Sequence, residues 1–268
     1  MNTSTWHEAF DRSVEFDPLI ADGLSSLGGR AGSSTSMWAA ALAARRDAPR
    51  LLVTAHLDQA DETCEEFAAR GLPVTRFPAL EILPGETAAR SDLLAERLAV
   101  VRGMQSMSTG TIVAPIAALM QPVPTPEELG DMFRTIRVGD RIERHDIIAW
   151  FTAASWQRSA TVERPGEFAV RGDVLDVFPE LGEPARIDFF GDEVESLHAI
   201  DLGTMGSSHS LDRLDLVAGA AAFGPQAVEG DEAPPTLLSS LLGERWEVIL
   251  DDHGEIREQS RAYLDRIA

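Results

Sequence analysis

The stretch from Gly29 to Ser36, Gly-Arg-Ala-Gly-Ser-Ser-Thr-Ser, stands just ahead of an alanine-rich run. It has the length of the phosphate-binding loop G-x-x-x-x-G-K-[ST]. On that template Gly29 is the first glycine, Ser34 replaces the second, Thr35 replaces the lysine and Ser36 keeps the hydroxyl. In a working loop the backbone amides cradle phosphates, the lysine neutralises the β and γ charge, and the hydroxyl binds magnesium. Without that lysine, ATP binding and hydrolysis are not expected here. Arg30 lies too early in the loop to stand in. A Gly/Ser turn capping a helix accounts for the same residues. The loss is chain-wide: all 23 cationic side chains are arginine. Schiff-base and lysine general-base chemistry are therefore excluded as well.

A second candidate lies in Pro165-Gly-Glu-Phe-Ala-Val-Arg-Gly-Asp-Val-Leu-Asp-Val-Phe-Pro179 and Arg186-Ile-Asp-Phe-Phe-Gly-Asp-Glu-Val-Glu-Ser196. Strand alternation puts Phe168 and Val170 on one face and Ala169 and Arg171 on the other. In the partner strand Ile187 and Phe189 point inward, while Arg186, Asp188 and Phe190 point out. Arg171, Arg186 and Phe190 are then set to share an exposed face, a composition suited to a protein-binding hot spot. On that reading, truncating Arg186 would weaken binding and leave the melting curve unchanged. The competing reading folds Phe190 under the Gly191 turn and pairs the arginines with local carboxylates.

Other reactive types offer less. The six histidines show no i, i+4 pair and no HExxH, so no metal site is expected. Cys64, the single cysteine, excludes an internal disulfide and CxxC chemistry and reads as a passive thiol. Asp251-Asp252-His253 follows a strand and has the form of a Walker B end; a loop capping the final helix explains it too. Six arginines against four acids between Phe133 and Arg164 make one mildly basic stretch, a candidate weak DNA or polymerase contact.

The elements that must position these residues fall into two styles. Leu51–Thr54, Val74–Phe77 and Thr111–Ala114 read as buried strands, alternating with helices at Thr35–Arg46, Asp58–Arg70 and Asp92–Arg102. That order predicts a parallel sheet covered by helices. The run Pro122-Val-Pro-Thr-Pro126 is a natural linker. Beyond it a helix near Arg144–Ala153 leads into strands at Phe168–Arg171, Val174–Phe178, Ala185–Phe190 and Val194–Ile200, separated by Gly and Pro turns. These predict an antiparallel α+β domain. After a loose stretch, Gly219–Pro235, come a helix near Leu237–Leu242, a strand at Trp246–Leu250 and a helix from Glu255 to Ile267. This last part is able to return to the first sheet, making the α/β domain discontinuous.

Length and charge set the frame. At roughly 150 residues per domain, 268 residues suggest two domains. With 44 acidic residues and a formal net charge of -21, wrapping a phosphate backbone is disfavoured. No run approaches the roughly 18 apolar residues of a membrane helix, and the N-terminus lacks a signal-peptide pattern. A cytoplasmic protein is expected.

The two quoted runs resemble the module shared by UvrB and the bacterial transcription-repair coupling factor, Mfd. Asp58-Gln59-Ala60-Asp61, Phe77-Pro78 with Glu81-Ile-Leu-Pro84, and Ala118-Leu119-Met120-Gln121 add to the likeness, which covers residues 25 to 268 approximately. Three departures favour the coupling factor over UvrB. Thr35 takes the place of the Walker lysine; Ile82-Leu-Pro-Gly85 is too short for a damage-probing hairpin; and Tyr263 is the one tyrosine. The resemblance implies a degenerate P-loop-type α/β domain in two parts, 1a (25–121) and 1b (217–268), after an N-terminal segment (1–24). Domain 2 (122–216), an inserted α+β domain, would bind UvrA through Arg171, Arg186 and Phe190. It further implies a non-catalytic recruitment module with no cofactor. Its full-length parent would be an ATP-dependent DNA translocase of helicase superfamily 2, meeting RNA polymerase and DNA through domains absent here. There the UvrA surface would stay masked until the motor engages a stalled polymerase. The chain is accordingly expected to be a fragment or a truncated homologue. The alternative is a nucleotide-binding or ATP-hydrolysing, UvrB-like repair protein with direct DNA contact.

Overall fold

A computed structural model describes residues 34–80, 91–218 and 235–267. Gly29 and the Glu81–Pro84 motif lie outside the described residues. The chain forms two compact units: Met1–Ala79, Gly103–Pro122 and Leu237–Ala268 make one, and Leu80–Arg102 with Val123–Thr236 the other.

The first unit is built on a parallel sheet. Its inner strands, β1 (Pro49–Thr54) and β3 (Gly110–Pro115), are buried along their whole length. Such unbroken apolar runs are what a sheet covered on both faces requires. β2 (Val74–Arg76) flanks β3, and β12 (Glu247–Leu250) flanks β1, giving the order β12-β1-β3-β2. The end of the chain thus returns to the sheet begun near its start. A buried ion pair pins that return. Arg50, 1% exposed, stands opposite Glu247 in the register, with Nε 2.8 Å from Oε2, and Arg46 approaches the same carboxylate at 2.9 Å. Burial lowers the Arg50 pKa, and the field of Glu247 offsets part of that.

Helices α1 (Ser34–Ala43) and α2 (Leu57–Ala69) pack Ala39, Ala40, Ala60 and Phe67 onto Leu52 and Val113. Small alanines let α1 approach closely. The helix expected near Leu237–Leu242 is one 3-10 turn, Leu238–Leu241, in which the Ser240 hydroxyl donates to the Leu237 carbonyl, a local bond that competes with α-helix. The final helix, His253–Ile267, begins two residues earlier than read from sequence. No helix among the described residues is long and apolar enough to cross a membrane.

The second unit contains α3 (Ser91–Met104, up to Arg102), α5 (Pro126–Asp131) and α6 (Arg144–Ala153); α4 (Ile116–Leu119) belongs to the first unit. Thr125 and Glu128 form a reciprocal capping box at the start of α5, with Pro126 in its first turn. A two-stranded ribbon joins β4 (Phe133–Arg137) to β11 (Arg213–Val217). The main sheet runs β10-β9-β8-β7-β6-β5. These strands are β5 (Gln157–Arg158), β6 (Glu167–Arg171), β7 (Val174–Phe178), β8 (Ala185–Phe190), β9 (Glu193–Asp201) and β10 (Gly206–Ser210). All neighbours are antiparallel except β5 and β6. Alternation buries Phe168, Leu175, Val177, Ala185, Ile187 and Leu197 on one face. Phe151 of α6 stacks on Phe168 with ring centroids 5.1 Å apart. The opposite face is only partly open, because Val162, Ala169, Ile200, Phe178 and Met205 form a small second core across it. Ala169, placed on an exposed face by alternation alone, is therefore buried.

Candidate functional site

Two hairpins set the site. β6–β7 turns through Gly172-Asp173 and β8–β9 through Gly191-Asp192, with φ of +61° and +64° at the glycines. Two-residue hairpin loops need a positive φ at the first central residue, which glycine supplies without strain. Both turns fall at the same end of the sheet, joined by a bond from Phe189 N to Asp173 O. Arg144 of α6 clamps the first turn, donating to the Gly172 carbonyl and, at 2.5 Å, to the Asp173 carboxylate.

On the outer face the register aligns Ala169, Asp176, Arg186 and His198 in one row. Arg171, Val174, Asp188 and Ser196 form the next, about 7 Å along the strands. Phe190 stands beyond them at the second turn. Its side chain is not folded under Gly191: it is 78% exposed, the most exposed large apolar residue described. Arg171 is 46% exposed, donating Nη2 to the Ala160 carbonyl at 3.2 Å. Arg186 departs from the open-face expectation. Its side chain is 18% exposed and engages Asp176 in a bidentate pair, Nε to Oδ1 at 2.7 Å and Nη2 to Oδ2 at 2.9 Å. Nη2 also reaches the Met205 carbonyl at 3.4 Å. That bond to Asp176 holds the Arg186 pKa above its ordinary value.

The structure thus places all three predicted residues on one face, while pairing Arg186 closely and Arg171 loosely, at 3.9 Å, with one carboxylate as the competing reading required. It adds Asp176, which residue type alone did not single out. Asp176 is 1% exposed and lies directly opposite Arg186. Its signal in the sequence is a lone carboxylate inside the apolar run Val174-Leu-Asp-Val-Phe178, facing an arginine across a hairpin.

The other candidate sits at the carboxyl ends of β1 and β12, where open α/β sheets place ligands. Ser34 opens α1, and the hydroxyl of Thr35 bonds to the Asp251 carboxylate. Burial raises the Asp251 pKa most; the Thr35 bond lowers it, and Asp252 and Glu255 push it up again. Asp252, with φ of +40°, accepts from the amides of Gly254 and Glu255 at 3.0 and 3.1 Å and so caps the final helix. His56 Nε2 lies 2.9 Å from Glu255 Oε1. Gln59, of the Asp58–Asp61 motif, accepts from the amides of Ala55 and His56 at 3.1 Å. Among the described residues, Asp251, Asp252 and Glu255 gather acidic groups at this end of the sheet. Ser36 lies within α1, one residue beyond Thr35.

Elsewhere, burial pushes the Cys64 thiol up to about 11, so it is no ready nucleophile. Among the described residues, one exposed group approaches metal-ligand spacing: Glu143, His145 and Asp146. Both ring nitrogens of His145 already lie on the two carboxylates, at 3.2 and 3.0 Å.

Comparison with known proteins adds to this geometry. The family described as "UvrB interaction domain" matches residues 135–221, which contain Arg171, Asp176, Arg186 and Phe190. The chain is 30% identical over 194 residues to the transcription-repair-coupling factor of Bacillus subtilis (strain 168), covering 71% of this chain and 16% of that protein. It is 27% identical over 169 residues to the factors of two Staphylococcus aureus strains, bovine RF122 / ET3-1 and Mu50, covering 62% of this chain and 14% of each relative. The chain therefore spans about one sixth of the length of these relatives or less. A UvrB interaction domain inside a longer stretch of similarity supports an N-terminal UvrB-homology module like that of the transcription-repair-coupling factors.

Proposed function

We propose that this chain is a non-catalytic recruitment module that binds UvrA through its second unit and so brings nucleotide excision repair to stalled RNA polymerase. The observation that carries the reading is Phe190, held 78% exposed at a rigid hairpin beside two ordered arginines, inside a UvrB interaction domain. A large aromatic kept out of its own core, next to guanidiniums with donors to spare, is the composition of a protein-binding hot spot. Residues 122–216 serve as the docking domain, and 25–121 with 217–268 as the scaffold that carries it. In a full-length relative, polymerase contact and DNA translocation belong to other domains, and the setting is the cytoplasm. Thr35 and Asp251 satisfy each other, so the scaffold binds no ATP.

Substitution of Phe190 tests this. A phenylalanine offers about 200 Å² of surface, so roughly 150 Å² remains for a partner, a ceiling near 4 kcal/mol. After ordering costs, Phe190→Ala is expected to weaken UvrA binding by about 2 kcal/mol, roughly 30-fold in Kd, with no loss of thermal stability. A titration in which wild type and variant bind alike would sink the proposal.

A further inference from the structure

We propose that Asp176 is the positioning residue of the docking face, holding Arg186 and drawing in Arg171 so that both guanidiniums are presented in fixed planes. This rests on the reading of that face as the UvrA surface. Asp176 is 1% exposed, so it cannot itself meet a partner. It lies in β7 between β6 and β8, where the ladder on both sides fixes its backbone. Its two oxygens are divided: Oδ1 takes Nε of Arg186, while Oδ2 takes Nη2 of Arg186 and lies 3.9 Å from Nη2 of Arg171. Backbone carbonyls complete the mounting, Met205 for Arg186 and Ala160 for Arg171.

A guanidinium has five N–H donors. For Arg186 the carboxylate takes two and Met205 a third, leaving both Nη1 hydrogens uncommitted by these contacts. A free arginine side chain loses rotamer freedom when it is ordered. Asp176 has that ordering done before the partner arrives, which is preorganisation rather than contact. Phe190, at the second hairpin turn, has no polar side-chain atom to bond these arginines and owes its exposure to the Gly191 turn, so its contribution is independent.

A double-mutant cycle on the 268-residue chain with purified UvrA decides it, run below the lowest melting midpoint of the set. Asp176→Asn is expected to raise Kd about tenfold. Added to Arg186→Gln it should cause little further loss, whereas added to Phe190→Ala its effect should multiply. In nitrogen-15 spectra the protected Arg186 Nε–H signal should be lost in Asp176→Asn. If Asp176→Asn unfolds at the assay temperature, Asp176→Glu replaces it; keeping the charge while displacing the guanidinium plane, it should also weaken binding. A wild type that binds with either Asp176 variant at unchanged affinity, or an Asp176 effect that multiplies with Arg186→Gln, overturns the positioning role alone. A wild-type chain that does not bind UvrA overturns the docking reading and this proposal with it.

Discussion

Arg186→Ala is the substitution for which geometry and residue type disagree most. Read as a surface contact, Arg186 could be truncated with no effect on the melting curve. The structure places it on Asp176, whose carboxylate is 1% exposed and receives two charge-assisted bonds at 2.7 and 2.9 Å. Removing one member of a buried pair costs about 3–5 kcal/mol, because the other charge is left unpaired away from water. Here the loss falls at or below the bottom of that range. Arg186 retains 18% exposure, so water enters the vacated volume, and Arg171 stands 3.9 Å from the same carboxylate. About 2–3 kcal/mol is expected, and at about 4 °C per kcal/mol for a unit of this size the Tm falls by roughly 10 °C. Adding Asp176→Asn removes the stranded charge and should restore more than half of that loss. Far-UV circular dichroism melts of the wild type, the single and the double variants measure both. An Arg186→Ala melt within about 2 °C of wild type would show that Asp176 does not depend on Arg186 and refute the reasoning. The consequence for binding studies is direct: reduced UvrA affinity in Arg186→Ala mixes lost contact with a disturbed face, whereas Phe190→Ala does not.

Three further outcomes follow from the first unit. Folding raises the Asp251 pKa above its ordinary 3.8, so its charged form is disfavoured in the native state and subtracts stability at neutral pH. Asp251→Asn, which still accepts from Thr35, should raise the Tm at neutral pH. Its advantage should shrink as pH falls through the raised folded pKa and disappear below 3.8; an advantage that grows in acid contradicts the assignment. Glu247→Ala strands the buried Arg50 and should cost about 2–4 kcal/mol, with faster hydrogen exchange in β12; unaltered exchange there would show that the pair does not pin the strand. Isothermal titration with Mg-ATP should give no binding heat and no phosphate release, and a measurable affinity would refute the reading of an internally satisfied strand end.

Much of the fold is legible because its signals are local. The runs at Leu51–Thr54 and Thr111–Ala114 can only be covered strands, and Gly172-Asp173 and Gly191-Asp192 declare hairpins whose lengths set the register. Register in turn carries Arg171, Arg186 and Phe190 to one face. What alternation cannot supply is what lies over that face. Ala169 is buried because Val162 and Met205, distant in sequence, cross above it, and no periodicity within β6 reports a neighbour outside the sheet. The same limit hid the state of Arg186. A cross-strand carboxylate is foreseeable from hairpin spacing, but its burial depends on what covers the surrounding sheet, and burial turns a weak surface pair into a structural one. The Leu238–Leu241 turn departs from a helix for a different reason: its leucines suit a helix, while the Ser240 hydroxyl donates to the Leu237 carbonyl and closes a local turn.

Two carboxylates, Asp251 and Asp176, are met in opposite ways, and that contrast bears on what an acidic chain with only arginine can do. At the strand ends Asp251 is met by a hydroxyl. A threonine offers one neutral donor, and Asp252 and Glu255 add further negative charge around Asp251. In the second unit Asp176 is met by guanidiniums, and two arginines on one carboxylate leave an excess of both charge and donors on the surface side. A lysine at 186 would make a point contact and lose the planar bidentate pair with Asp176. Arginine at 186 therefore supplies what lysine would not. In the phosphate-loop alignment Thr35 replaces the lysine, whereas the guanidiniums at 171 and 186 lie at a sheet face with an exposed phenylalanine beside them. Charge is thus kept where a protein surface can meet it.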